Sequence, residues 1–152
     1  MRKSVFLLTL LSSAVACGYI PQDLWAKTWK YARAWGVDPY LVAAVVWVES
    51  GYCPHARGKA GEVGLGQFMP GTWARTTGAP VEWRAHPDWA LWAPAKHPRE
   101  LYFAVGGDWG KALWAYNAGL GAVQRGRVPA STLRYAEKVL AVYRKFKGGG
   151  SG

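Results

Sequence analysis

Apolar and polar positions along the chain fall into helical stripes separated by glycine and proline. From Pro21 to Trp35, residues Leu24, Thr28, Tyr31 and Trp35 form one stripe, with Trp25, Trp29 and Ala32 beside it. Pro21 suits a first helical position and Gly36 the residue just past the end, so the pattern predicts an amphipathic helix. Leu41-Val-Ala-Ala-Val-Val-Trp-Val48 is then an unbroken apolar run leading directly to Glu49. Asp38-Pro39 supplies an N-cap and an N1 proline, and the span from Pro39 to Ser50, closed by Gly51, is long for a strand. A helix is therefore predicted there, although the valines at 42, 45, 46 and 48 would equally suit a buried strand. On a helix, Val42, Val45, Val46 and Glu49 share a face, and the carboxylate emerges from the apolar side.

Tyr52 to Val63 reads as loop, Gly64 to Gly71 as a tight glycine-punctuated turn, and Pro70 or Thr72 as the start of a short helix through Trp73 and Arg75. Residues 79–98 interleave Pro80, Pro87, Pro94 and Pro98 with Trp83, Trp89 and Trp92. Proline removes backbone donors, so no regular element is expected to run far through this stretch, which either wraps the core or borders a binding cleft. Pro98 to Val105 predicts a short helix. Asp108 caps another that runs through Leu113 to Asn117 and stops at Gly119. Ser131 or Thr132 opens the last, with Tyr135, Val139, Val142 and Phe146 on one stripe. The fold class is mainly α: a single domain with one Pro/Trp-rich irregular segment.

Composition narrows the classes. At 152 residues and 51% hydrophobic, the chain can build a real core and is not disordered. Ten tryptophans exceed what such a core needs, which favours flat surfaces for stacking sugars or bases. A net charge of +10 favours anionic partners: nucleic acid, acidic lipid or cell-wall polymer. Residues 1–17 read as an export signal, with basic Arg2 and Lys3, an apolar stretch over 5–11 and a small-x-small site at Ala14-Val-Ala16. Cys17 directly after it is either lipidated, giving the protein its one route to a membrane, or paired with Cys53 in an oxidising compartment. Residues 18–147 are expected to form the one folded domain, and Gly148-Gly-Gly-Ser-Gly152 reads as a flexible linker of engineered type.

The candidate chemistry rests on Glu49. Burial, and the negative end of a helix dipole, both favour its protonated form near neutral pH, as a general acid requires. His55, His86 and His97 have no metal-binding spacing, and no metal or cofactor is expected.

Three separated pieces occur in order: Glu49-Ser50-Gly51; Gly64-Leu-Gly-Gln67 with Met69-Pro70 and Thr72-Trp73; and Ala115-Tyr-Asn-Ala-Gly119. Together with Tyr135 they make the chain resemble the soluble lytic transglycosylase domain, the goose-lysozyme-like glycosidases of peptidoglycan, over residues 20–146. The resemblance implies a lysozyme-like helical fold with a sugar-binding cleft, and an exported monomer of the periplasm or cell envelope acting on peptidoglycan glycan strands, in the setting of wall recycling or of a secretion, conjugation or phage apparatus. It implies Glu49 as catalytic acid/base, with Ser50 positioning it or the substrate. Gln67, Met69, Tyr116 and Asn117 would meet the substrate, and Tyr135 would lie near the carboxylate. A single carboxylate suffices for lytic transglycosylases, because the substrate's own N-acetyl group and 6-hydroxyl complete the reaction. Gly66 departs from the methionine common before the glutamine, and Leu120 from a common proline.

Alternatives stand beside these roles. Gln67 and Asn117 would also serve as amides satisfying backbone groups, and Tyr116 and Tyr135 as core aromatics. Glu62 in the cleft would allow a lysozyme-type hydrolase with a second carboxylate. A non-catalytic wall-binding module is the competing class; nucleic acid is disfavoured, because no strand alternates aromatic and basic residues.

Overall fold

A computed structural model describes residues 17–149, and among them the secondary structure is helical. The helices are α1 (Gln22–Trp35), α2 (Pro39–Ser50), α3 (Pro70–Thr77), a 3-10 helix (Val81–Ala85), α4 (Pro87–Ala104), α5 (Trp109–Ala118), α6 (Leu120–Gln124) and α7 (Ala130–Lys147). The only ladder pairing among the described residues consists of isolated bridges, Arg57 with Val63 and Val63 with Phe68.

Helix α2 is the centre of the molecule. Leu41 to Val46 are all buried, so the segment is apolar on every side and has no solvent face. That explains why the apolar run is unbroken, and it resolves the helix against the strand. The Asp38 carboxylate caps it, accepting from the Tyr40 amide at 2.9 Å. The same carboxylate accepts from the Tyr143 hydroxyl at 2.8 Å and pairs with Lys147 at 2.6 Å, tying the start of α2 to the end of α7. Helices α1, α4 and α7 pack around α2, and α5 bridges α4 and α7. Leu65, Leu91, Leu113 and Val139 complete the central core, each contributing roughly 1.5–3 kcal/mol on full burial.

The expectation of an irregular 79–98 segment is corrected. Pro80 precedes the 3-10 helix, Pro87 occupies the first turn of α4, and α4 continues to Ala104 with Pro94 and Pro98 inside it. An interior proline costs about 3 kcal/mol in an isolated helix. Here Ala90, Leu91, Ala93, Pro94, Ala95, Pro98 and Leu101 are buried on one side of α4, and their packing outweighs the lost bonds. The separate helix expected from Pro98 is the second half of this one. The last helix starts at Ala130, a residue or two before the position expected, because its Thr132 hydroxyl bonds elsewhere. The five-residue α6 directly after Gly119 had no signal in the sequence.

Of the two fates for Cys17, the structure holds the disulfide to Cys53. The export signal otherwise falls outside the described residues, as do 150–152 of the linker.

Candidate active site

Glu49 is in the last turn of α2, where Gly51 in the left-handed conformation ends the helix and turns the chain away. Its half-buried carboxylate opens onto a cleft of about 530 Å³, the usual size for a ligand site. Tyr135 of α7 donates its hydroxyl to Glu49 Oε2 at 2.7 Å, across a separation of 86 residues. Burial pushes the Glu49 carboxyl up to about 7, against the Tyr135 hydrogen bond, which favours the ionised form; the negative charge of Glu62 adds to the rise. The Tyr135 phenol is itself held well above its ordinary value by burial and then by the Glu49 charge, so it stays protonated and keeps donating.

The 64–68 turn forms one wall. Gly64 has φ +92°, and an added Cβ would run into the Arg84 carbonyl, so glycine is required there. Arg84, from the 3-10 helix, donates Nη1 to the carbonyls of Gly61 at 2.9 Å and Phe68 at 2.8 Å, tying the loop before the turn to the turn's last residue. Gln67 sits at φ 53°, unusual for a side-chain-bearing residue, and its Nε2 donates to Ala56 O at 3.0 Å and Gly64 O at 2.9 Å. Both amide protons therefore hold the loop, and Oε1 remains to accept. Ser50 Oγ lies 2.8 Å from Leu65 O and 3.1 Å from Val46 O. Its single proton fixes the end of α2 to the turn, and Ser50 is not on the cleft wall.

Tyr116 of α5 spans the two walls, donating to Gly66 O at 2.9 Å. Gly66 is small for a visible reason: a Cβ would lie 2.8 Å from the Phe68 ring and 2.9 Å from the Tyr116 hydroxyl. Here the absence of a side chain makes room for the crossbar. Asn117 borders the cleft with its Oδ1 accepting from buried Thr132 at 2.7 Å, which orients the amide. Met69 lines the cleft and is exposed.

Glu49, Gln67, Met69, Tyr116 and Asn117 thus meet on one cavity, while Ser50 and Tyr135 stand behind it. Glu62 also lines the cleft, its Oε1 held by the Ala60 amide at 2.9 Å. The sequence reading missed the opposite wall: His97, Glu100, Leu101 and Ala104 of α4. Their spacing is that of one helix face, so the signal was present and was hidden by reading the prolines as breaks. His97 packs against the Phe68 and Tyr116 rings, which also meet each other, and burial holds its imidazole below the usual range against the pull of Glu100. No group of His, Cys, Asp and Glu suited to a metal occurs among the described residues.

Known proteins are similar to this chain in sequence and in fold. The chain is 37% identical over 106 residues to the peptidoglycan transglycosylase gp16 of Escherichia phage T7, covering 67% of this chain and 8% of that protein. It is 43% identical over 58 residues to the endo-type membrane-bound lytic murein transglycosylase A of Klebsiella pneumoniae, covering 38% of this chain and 29% of that one. The chain therefore spans less than a third of either relative's length. The fold matches the 70 kDa soluble lytic transglycosylase of Escherichia coli with a TM-score of 0.71, at 24% identity, over 84% of this chain and 24% of that one. The transglycosylase SLT domain family matches residues 27–137, and the chain belongs to that family.

Proposed function

We propose that this protein is a peptidoglycan lytic transglycosylase that cleaves the bond between N-acetylmuramic acid and N-acetylglucosamine with Glu49 as its acid and base. The observation that carries the reading is a carboxyl poised at about 7 on the wall of a sugar-sized cleft, with a permanent donor behind it. Tyr135 takes Oε2, which leaves Oε1 for the proton that faces the substrate. Glu49 gives that proton to the glycosidic oxygen, and the N-acetylglucosamine leaves with a free 4-hydroxyl. The neighbouring N-acetyl carbonyl of the muramic sugar stabilises the electron-poor anomeric carbon. The Glu49 carboxylate then takes the proton of the 6-hydroxyl, whose oxygen closes on that carbon to give the 1,6-anhydro sugar. Water is neither consumed nor released.

The names of the relatives support peptidoglycan as the substrate class, and the Cys17–Cys53 disulfide supports an oxidising, exported setting in the cell envelope. Gln67 Oε1, the oriented Asn117 amide and exposed Met69 are the proposed contacts to the glycan strand, and Ser50 positions Glu49 through the 64–68 turn. One observation favours a second reading, hydrolysis: Glu62 borders the same cleft and would suit a water-holding base. Its carboxylate is held on its own loop by Ala60, which favours the first.

Digestion of purified peptidoglycan followed by mass spectrometry separates the two. Muropeptides lighter by one water, absent with Glu49→Gln, are the expected result. Products with ordinary reducing ends would make Glu62 the next residue to change. Binding without soluble product from either protein would leave a wall-binding module.

A further inference from the structure

A second cavity, of about 260 Å³, lies between α1 and α4 and shares no residue with the cleft. Tyr31, Asp88, Trp89 and Trp92 line it. It lies just below the usual range for ligand pockets, roughly 300–1,000 Å³, so it has room for one ring and not for a strand. Trp89 and Trp92 meet at 67° with centroids 5.3 Å apart, forming an angled corner. Trp83, 41% exposed, extends the aromatic surface from Trp89 at 5.8 Å. Trp89 also packs on the Phe68, Trp73 and Ala93 cluster, and Trp92 meets Trp35 at 5.5 Å with Lys96 Nζ 5.2 Å from its ring, so both indoles are anchored where they line the cavity; the proposed reaction at Glu49 does not use them.

The polar groups decide what the corner would hold. Asp88 accepts from the Tyr31 hydroxyl at 2.6 Å and pairs with Lys27 at 3.3 Å, both through Oδ1. Oδ2 remains to accept a further proton, and the carboxyl is kept below its ordinary range, first by the Tyr31 hydrogen bond. A cation is a poor occupant, because Lys27 already balances the charge and the chain as a whole carries +10. A nucleobase would call for parallel walls to sandwich it. A neutral pyranose fits both features, with C–H groups against an indole face and a hydroxyl donating to Asp88.

We infer that this corner is a second glycan-binding site, taking a single N-acetylated pyranose of a β-1,4-linked strand whose other end the catalytic cleft engages or leaves. The inference rests on the proposed glycan specificity.

The test uses the whole chain with tetra-N-acetylchitotetraose, which lacks the muramic sugar and its lactyl group. Indole N–H resonances, assigned with Trp89→Phe and Trp92→Phe, report the corner; the Asn117 side-chain amide reports the cleft. The expected result is a saturable shift at Trp89 and Trp92, with affinity weakened about tenfold in Asp88→Ala while the Asn117 response is kept. Unchanged thermal unfolding of Asp88→Ala excludes loss of fold as the cause. A response at Asn117 alone overturns the second site and leaves the glycan reading standing. No response at either overturns the second site, and the peptidoglycan digestion above then decides separately whether the glycan reading falls with it. Indole shifts produced by tetramethylammonium and not by the sugar would overturn the pyranose in favour of a cation.

Discussion

With the role proposed for Glu49, its carboxyl is the group on which pH is expected to act twice, once through catalysis and once through stability. In the proposed role of general acid this carboxyl must be protonated, so activity is expected to fall as pH rises through about 7. Tyr135→Phe removes the donor that favours the ionised form, and the alkaline limb of the pH–rate profile is expected to move to higher pH. Glu62→Gln removes a negative charge that opposes ionisation, and the limb is expected to move lower. Opposite displacements in the two variants are the signature, and a shift in the same direction for both would contradict the assignment. For stability, the folded protein holds this proton from the ordinary 4.5 up to about 7, while the unfolded chain has released it. Folding therefore loses stability as pH rises across that window. The ceiling is about 3 kcal/mol, reduced because the cleft admits solvent. Glu49→Gln should raise the melting temperature at pH 8 and leave it nearly unchanged at pH 4, measured by calorimetry. The sequence carried this residue plainly, as an acid placed at the end of an apolar run. It carried its neighbours less well. Gln67 and Asn117 were legible as polar groups of the site, but which of their atoms are engaged by the loop and by Thr132 is set by contacts between distant segments.

Among the elements, α4 is where local reading and tertiary structure part. Two prolines four residues apart look like a chain that cannot be helical. In the fold they sit on the buried side, and one wall of the cleft depends on the helix continuing through them. By contrast, α1, α2 and α5 each carried a capping or stopping residue that marked them correctly, because caps act within a few residues. The 64–68 turn depends on partners from elsewhere: Arg84 at its last residue and Tyr116 at its middle. Gly66→Ala drives a Cβ into the Phe68 ring and the Tyr116 hydroxyl, and should cost about 1–3 kcal/mol in denaturant unfolding while raising KM for peptidoglycan. An unchanged midpoint would show that the turn shifts freely, contrary to the pinning described here.

At the scale of the whole molecule, the Cys17–Cys53 bridge closes a loop with a sequence separation of 36 that contains α1 and α2. Cross-linking a loop of that length restricts the unfolded chain by about 3–4 kcal/mol, and Cys53→Ser or a reductant should lower stability by that order. The basic charge acts over a longer range. Digestion of intact sacculi should fall with added salt more steeply than cleavage of short uncharged fragments, since only the former offers a dense anionic surface for the +10 chain.

The Tyr116–Gly66 bond joins the floor of the cleft to its wall before any sugar arrives. With the 64–68 turn already held by that bond, capture is expected to be paced by encounter and by the basic field and not by a movement of the turn. In time-resolved measurements that predicts a single association phase whose rate climbs in proportion to the concentration of glycan ends, with no plateau.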